Sequence, residues 1–224
     1  MRTRLLTTGG ALFMALAVVA CGHPEKRVLD QYFNAVNAED NQTLSSFAVV
    51  RFDKKVDRWS IVSVSAETKS PATLPELAKK AKDIDKQIAD NKKQAAAFAQ
   101  ENVTAWNQIS DILGKNGKIP AKLQGVASER EKFNQNDREL KKAFAEAKEA
   151  LDRERRNAQL SVGQLTDLDN LPGEMTSKTY DLELTVAGNV QSYVMGLRKY
   201  DLQPSGQAGR VMSRWVVHSL EPKG

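Results

Sequence analysis

The sequence predicts an α+β protein: an antiparallel sheet with an N-terminal helix, interrupted by a long antiparallel two-helix coiled-coil hairpin. Three observations carry this. Two runs within residues 73–162 place one set of residues, mostly apolar, at strictly alternating spacings of four and three. A cluster of helix breakers separates the runs. On either side of them, short stretches alternate apolar and polar residues as half-buried strands do.

In chain order, Arg2 and Arg4 precede an apolar run over residues 11–20 that is too short to span a bilayer comfortably. This is the layout of a secretory signal, so residues 1–20 are expected to be removed. Residues 24–39 follow as an amphipathic helix: Val28, Tyr32, Phe33 and Val36 share one face, and Asp40-Asn41 ends it. Strands are expected over 48–52 and 59–66, joined by a turn at Asp53-Lys-Lys.

The first helical run then sets Leu77, Ala81, Ile84, Ile88, Asn91, Ala95, Phe98, Asn102, Ala105, Ile109 and Ile112 on one seam. The second does the same with Val126, Arg130, Phe133, Asp137, Leu140, Phe144, Ala147, Leu151, Glu154 and Ala158. A period of 3.5 is that of a left-handed coiled coil. Gly114-Lys-Asn-Gly-Lys-Ile-Pro120 between them forces a turn. Folding there sets Ala95 against Phe144, Phe98 against Leu140, Ala105 against Phe133, Ile88 against Leu151, and Asn102 near Asp137 as a polar layer. Thr73-Leu-Pro-Glu76 reads as a capping box, and Gly163 as the stop of the second helix. Such arms are about 55 Å long at 1.5 Å per residue, so the pair must project from a small domain.

After the helices, Tyr180, Leu182, Leu184 and Val186 alternate with polar residues, Gly188-Asn189 reads as a two-residue hairpin turn, and residues 190–201 return. A final strand is expected over 210–220. Neither flank has enough strands for a stable sheet alone, so 21–69 and 175–224 are expected to form one discontinuous domain. Residues 70–174 are then an insertion, on which the sheet's core should depend little beyond the base near Leu77 and Leu160.

Val18-Val19-Ala20-Cys21 resembles the bacterial lipoprotein box. The resemblance implies that Cys21, the only cysteine, is acylated (palmitate among the chains) and becomes the mature N-terminus. The address is then the cell envelope, lipid-anchored and facing the periplasm. Gly22, where inner-membrane retention is associated with Asp, favours the outer membrane if there is one. The helix Val28-Leu-Asp-Gln-Tyr-Phe-Asn-Ala-Val-Asn-Ala-Glu-Asp40, with Tyr193-Val-Met-Gly-Leu-Arg-Lys-Tyr200 and Arg214-Trp-Val-Val-His-Ser-Leu220, resembles the nuclear transport factor 2-like superfamily. That resemblance covers only the two outer blocks and implies a strongly curved sheet with a concave pocket. It departs from the family in its inserted helices and in its helix count.

Members of that superfamily often place Asp, His, Tyr or Arg in the pocket; the candidates of those types are Tyr180, Asp181, Tyr193 and His218. Ordinary sheet residues are the competing reading. His23 and His218 are too few and too far apart for a metal site, no phosphate loop or nucleophile motif is recognisable, and no cofactor is expected. Losing Arg2 and Arg4 with the leader leaves 31 − 28, a net charge of +3, too small to argue for nucleic acid. Lys115, Lys118 and Lys122 cluster at the hairpin turn, as a contact for anionic groups or simply as a solvated loop.

Three function classes follow. The first is a non-enzymatic envelope lipoprotein whose projecting hairpin contacts a protein or envelope polymer. The second is a small-ligand binder or enzyme using a pocket in the sheet. The third is a periplasmic adaptor similar to those of efflux pumps, although the flanks lack paired lipoyl motifs.

Overall fold

The computed structural model describes residues 24–203, 211 and 213–223. The fold is α+β, with one open antiparallel sheet. Among the described residues no helix is long and apolar enough to cross a membrane.

Helix α1 (Pro24–Asn37) is followed at once by α2 (Asn41–Phe47), where the sequence suggests only a connecting segment. Asp40 explains it: its carboxylate accepts the Thr43 backbone N–H at 3.0 Å and the Thr43 hydroxyl at 2.5 Å, capping a second helix as the first ends. The strand expected over 48–52 is reduced to a single parallel bridge from Ala48 to Val217.

The sheet is built from β1 (Arg58–Val64), β2 (Thr68–Pro71), β3 (Gly173–Val186), β4 (Asn189–Leu202) and β5 (Val216–Pro222). Its order is β1-β3-β4-β5, with β2 also paired to β3. The long β3–β4 hairpin turns at Ala187 (φ 50°) and Gly188 (φ 76°), one residue earlier than Gly188-Asn189. Two consecutive positive φ angles suit the right-handed twist of the flanking strands.

Register assigns the faces. Tyr180 pairs with Met195 and Leu182 with Tyr193, so these side chains share one face, which Leu29, Tyr32 and Phe33 of α1 cover. Met175 pairs with Tyr200 and has the opposite parity from Tyr180, so it faces the other way. There Met175, Tyr200 and Leu202 pack with Leu74, Ala81, Ile84, Leu151 and Ala158 from the long helices. The sheet is therefore covered by helices on both faces.

The long helices are α3 (Leu74–Glu101), α4 (Val103–Gly114) and α5 (Gln124–Val162), with a 3-10 turn at Ala121–Leu123 before the last. Every residue assigned to the two seams is buried or half-buried. The facing pairs differ from those expected. Asn91 donates its amide to the Phe133 carbonyl at 3.2 Å and accepts from Asn136 at 2.9 Å, where the expected register would give residue 148. Phe133 also meets Phe98, with ring centroids 5.8 Å apart. The cause is a break at Asn102, which separates α3 from α4. Between Phe98 on α3 and Ser110 on α4 the partner on α5 moves only from Phe133 to Arg130, so the register against α5 changes across the break. The capping box is not formed either. Thr73 makes no side-chain cap bond and donates its hydroxyl to Glu154 at 2.8 Å. Gly163 does end α5, at φ 82°.

Candidate functional site

The four pocket candidates do not converge. Tyr180 and Tyr193 lie in the core beneath α1. Tyr180 is 2% exposed, and its hydroxyl has no hydrogen-bond partner among the described residues. Burial, and then the carboxylates of Glu25 and Glu67, push its phenol up to about 12. Lys178 beside it forms a buried ion pair with Glu25 at 3.0 Å. Tyr193 donates to the Gln191 side chain at 3.0 Å and sits edge-on to Phe52. The space a concave pocket would need on this face is filled by Leu29, Tyr32 and Phe33, each at most 1% exposed.

Asp181, next in sequence to Tyr180, must face the opposite way. It accepts from Lys223 at 2.8 Å and Ser63 at 2.7 Å, and the two hold its carboxyl below the usual range, Lys223 contributing more. His218 lies on that same face but lines a different feature, a groove of about 840 Å³ between α5 and β5. Its floor is apolar, from Val49, Val50, Ala145 and Leu220. Lys148, Arg153 and Arg156 are matched there by Glu149, Asp152 and Glu221. Ser219 lines the groove beside His218, but no hydrogen bond joins the two side chains among the described residues, and the balanced charge selects neither anion nor cation.

A glycine positions His218. A Cβ on Gly196 would stand 2.4 Å from the His218 Nε2 atom, so the ring occupies a notch that only glycine leaves open. Burial first, and then the Arg198 guanidinium, lower its pKa from 6.5 to about 4. The unfolded chain therefore takes up a proton between pH 6.5 and 4 that the folded chain does not accept. Stability from this residue is complete above pH 6.5 and is lost as the pH falls towards 4. Melting temperature measured from pH 7 to pH 5 should fall in the wild type and should be flatter in His218→Gln. Equal slopes would show that the imidazole is not held neutral.

A polar constellation beneath the helices was not anticipated as a unit. Glu154, 6% exposed, accepts from the Thr73 hydroxyl and the Tyr200 hydroxyl, both at 2.8 Å, and from Arg198 at 3.0 Å. The signal was available, because a carboxylate occupied an otherwise mostly apolar seam. These four side chains join the start of α3, the C-terminal part of α5 and strand β4. Ser161 extends the join, accepting from the Tyr200 backbone N–H and donating to the Arg214 carbonyl.

Lys115, Lys118 and Lys122 are exposed around the turn between α4 and α5 and make no ion pair among the described residues. Nearby, the Arg130 guanidinium lies 4.8 Å from the Trp106 ring centroid and donates to Ser110 at 2.9 Å. Cys21 lies outside the described residues. Among those described, no three His, Cys, Asp or Glu side chains are grouped to hold a metal. No protein-family model matches the chain, and neither a curated protein nor a solved structure is significantly similar to it.

Proposed function

We propose that the protein is a non-enzymatic envelope lipoprotein, acylated at Cys21, whose α3–α5 unit is an antiparallel coiled-coil arm that contacts a protein or an envelope polymer. In this reading the sheet domain is a mount of nuclear transport factor 2-like type whose pocket has been filled. The observation that carries it is the division of packing in the molecule. Side chains of α1 occupy the face where a ligand would enter. The helices bury their base residues against the sheet, and Ala145 is the first residue of α5 to line the groove beside β5. Some 20 residues of α5 before that point leave roughly 30 Å of helix to extend beyond the sheet.

The small-ligand reading keeps one observation in its favour, the groove beside His218. Its charges are matched, and its neighbouring Ser219 and His218 are not joined by a hydrogen bond among the described residues, so nothing there activates a nucleophile.

The test is made in cells. A photoreactive residue placed at Lys118 should crosslink wild-type protein to a discrete envelope component, and Cys21→Ser should abolish membrane fractionation or leave uncleaved precursor. Mature, unlipidated protein in the soluble fraction would refute the address. A tip that crosslinks to nothing would refute the role of the arm.

A further inference from the structure

The direction of the arm relative to the N-terminus follows from contacts on the two faces of the sheet. On one face, α1 pairs Glu25 of its first turn with Lys178 and ends at Asn37, hydrogen-bonded on both sides of its amide to Val56. The neighbouring Asp57 bonds Thr185, so α1 runs from the level of Lys178 towards the β3–β4 turn. On the other face, Ser161 lies at Tyr200, and the stretch around Ala145 lies against Leu220 and Glu221, which pair with Met195 and Val194. Followed from Ser161 back to Ala145, α5 therefore advances in the same direction and leaves the sheet on the side of that turn. The first described residue of α1, Pro24, lies towards the other side. Adding the rise of helix and strand puts the turn between α4 and α5 about 40 Å beyond the level of Glu25. An anchor at Cys21 thus holds the sheet near the bilayer and aims the tip away from it.

The tip has a distinct chemistry. Lys115, Lys118 and Lys122 are exposed, and Asp111 is the one acid between residues 103 and 124. The turn carrying them is ordered: Gly117 donates its N–H to the Ile112 carbonyl at 2.8 Å, and Asn116 takes a left-handed φ of 52°. Among the described residues of the arm, the large apolar side chains exposed to solvent are Val103 and Leu113. That is far less than the contiguous apolar centre a protein-docking patch is built on. The exposed cations of the turn are lysines, and the next arginine in sequence, Arg130, is half-buried and engaged by Trp106 and Ser110, so the turn presents no free planar fork to grip phosphate in two places.

Resting on the lipoprotein reading above, we propose that this tip is a docking surface for a carboxylate-bearing wall polymer held about 40 Å from the anchoring membrane. Three lysines bind one site weakly at physiological salt. Many anchored copies facing one repetitive polymer bind it through avidity, without needing any deeper contact.

The experiment uses the full lipidated protein displayed at many copies per liposome, pelleted at low speed with purified, insoluble wall polymer. Binding should fall by about tenfold or more when NaCl is raised from about 50 mM to about 300 mM. It should fall as far when the polymer's carboxylates are amidated, and in the triple variant Lys115→Glu, Lys118→Glu, Lys122→Glu with an unchanged circular dichroism spectrum. Failure to pellet, or pelleting indifferent to the triple substitution, overturns the proposal. If that failure coincides with crosslinking of Lys118 to an envelope protein, the arm keeps its role and only the polymer is wrong. If pelleting fails and the tip crosslinks to nothing, both readings fall together.

Discussion

Glu154→Ala should destabilise the protein by about 3–5 kcal/mol in urea unfolding, the range for stripping one partner from a buried charge pair. The carboxylate holds three donors from two other elements, Thr73 at the start of α3 and Tyr200 and Arg198 on β4. Its removal leaves the Arg198 guanidinium, already short of a partner at its buried Nε, facing a void. It also leaves the Tyr200 hydroxyl without its acceptor, and that side chain has no exposed surface. The Tyr200 phenol is raised well above its ordinary value by burial and by Glu154, so it remains a neutral donor and cannot neutralise Arg198 itself. Glu154→Gln keeps the shape and one acceptor and should cost roughly half as much, since a neutral hydrogen bond is weaker than a charge-assisted one. The double substitution Glu154→Leu with Arg198→Met should recover most of the loss, because a well-packed apolar pair replaces a buried ionic one at little cost. A single substitution that moves stability by less than about 1 kcal/mol would mean that water, and not Glu154, satisfies Arg198 and Tyr200.

The residues lining each helix were legible because burial follows a period that sequence displays directly. Their pairing was not, because spacing names a face and never a partner. Asn91 and Asn136 were the decisive residues. Their mutual hydrogen bond fixes the register, whereas Asn102 donates to the Phe98 carbonyl of its own helix and Asp137 pairs with Lys141 four residues on. The break at Asn102 lets the tip keep the expected alignment while the base slides past it. No local pattern announced that break. Strand β2, four residues with no buried side chain, was invisible for a related reason, since it is held by pairing to β3 and not by an apolar face.

The site candidates failed in a way the sequence itself could have revealed. Tyr180 and Asp181 are adjacent in a strand and cannot line one pocket. What sequence could not supply was the alignment of β5, where a register shift at Gly196–Leu197 accompanies the close seat of His218 on Gly196. A bulge of this kind re-aims a side chain without any change in composition.

How far the sheet depends on the helices can be measured by two truncations. Replacing residues 92–135 with a short Gly/Asn linker joins Asn91 to Asn136, whose side chains already touch at 2.9 Å. Closing so short a loop costs little entropy. The retained base keeps Leu74, Ala81, Leu151 and Ala158 over Met175, Tyr200 and Leu202, and keeps Glu154 on Arg198. This variant should remain folded, unfold cooperatively and lose part of its helical signal along with every contact made by the tip. Replacing residues 70–174 instead strips that entire layer. Each large apolar side chain lost from such a layer is worth about 1.5–3 kcal/mol, and several together match the whole stability of a typical domain, about 5–15 kcal/mol. Two fully buried residues of β4, Tyr200 and Leu202, would then face water beside an unpaired Arg198. The longer deletion should be unfolded or aggregated where the shorter one is monomeric. A folded, cooperative protein from the longer deletion would show that α1 and the sheet suffice, and that the layer beneath the arm is only a platform for it.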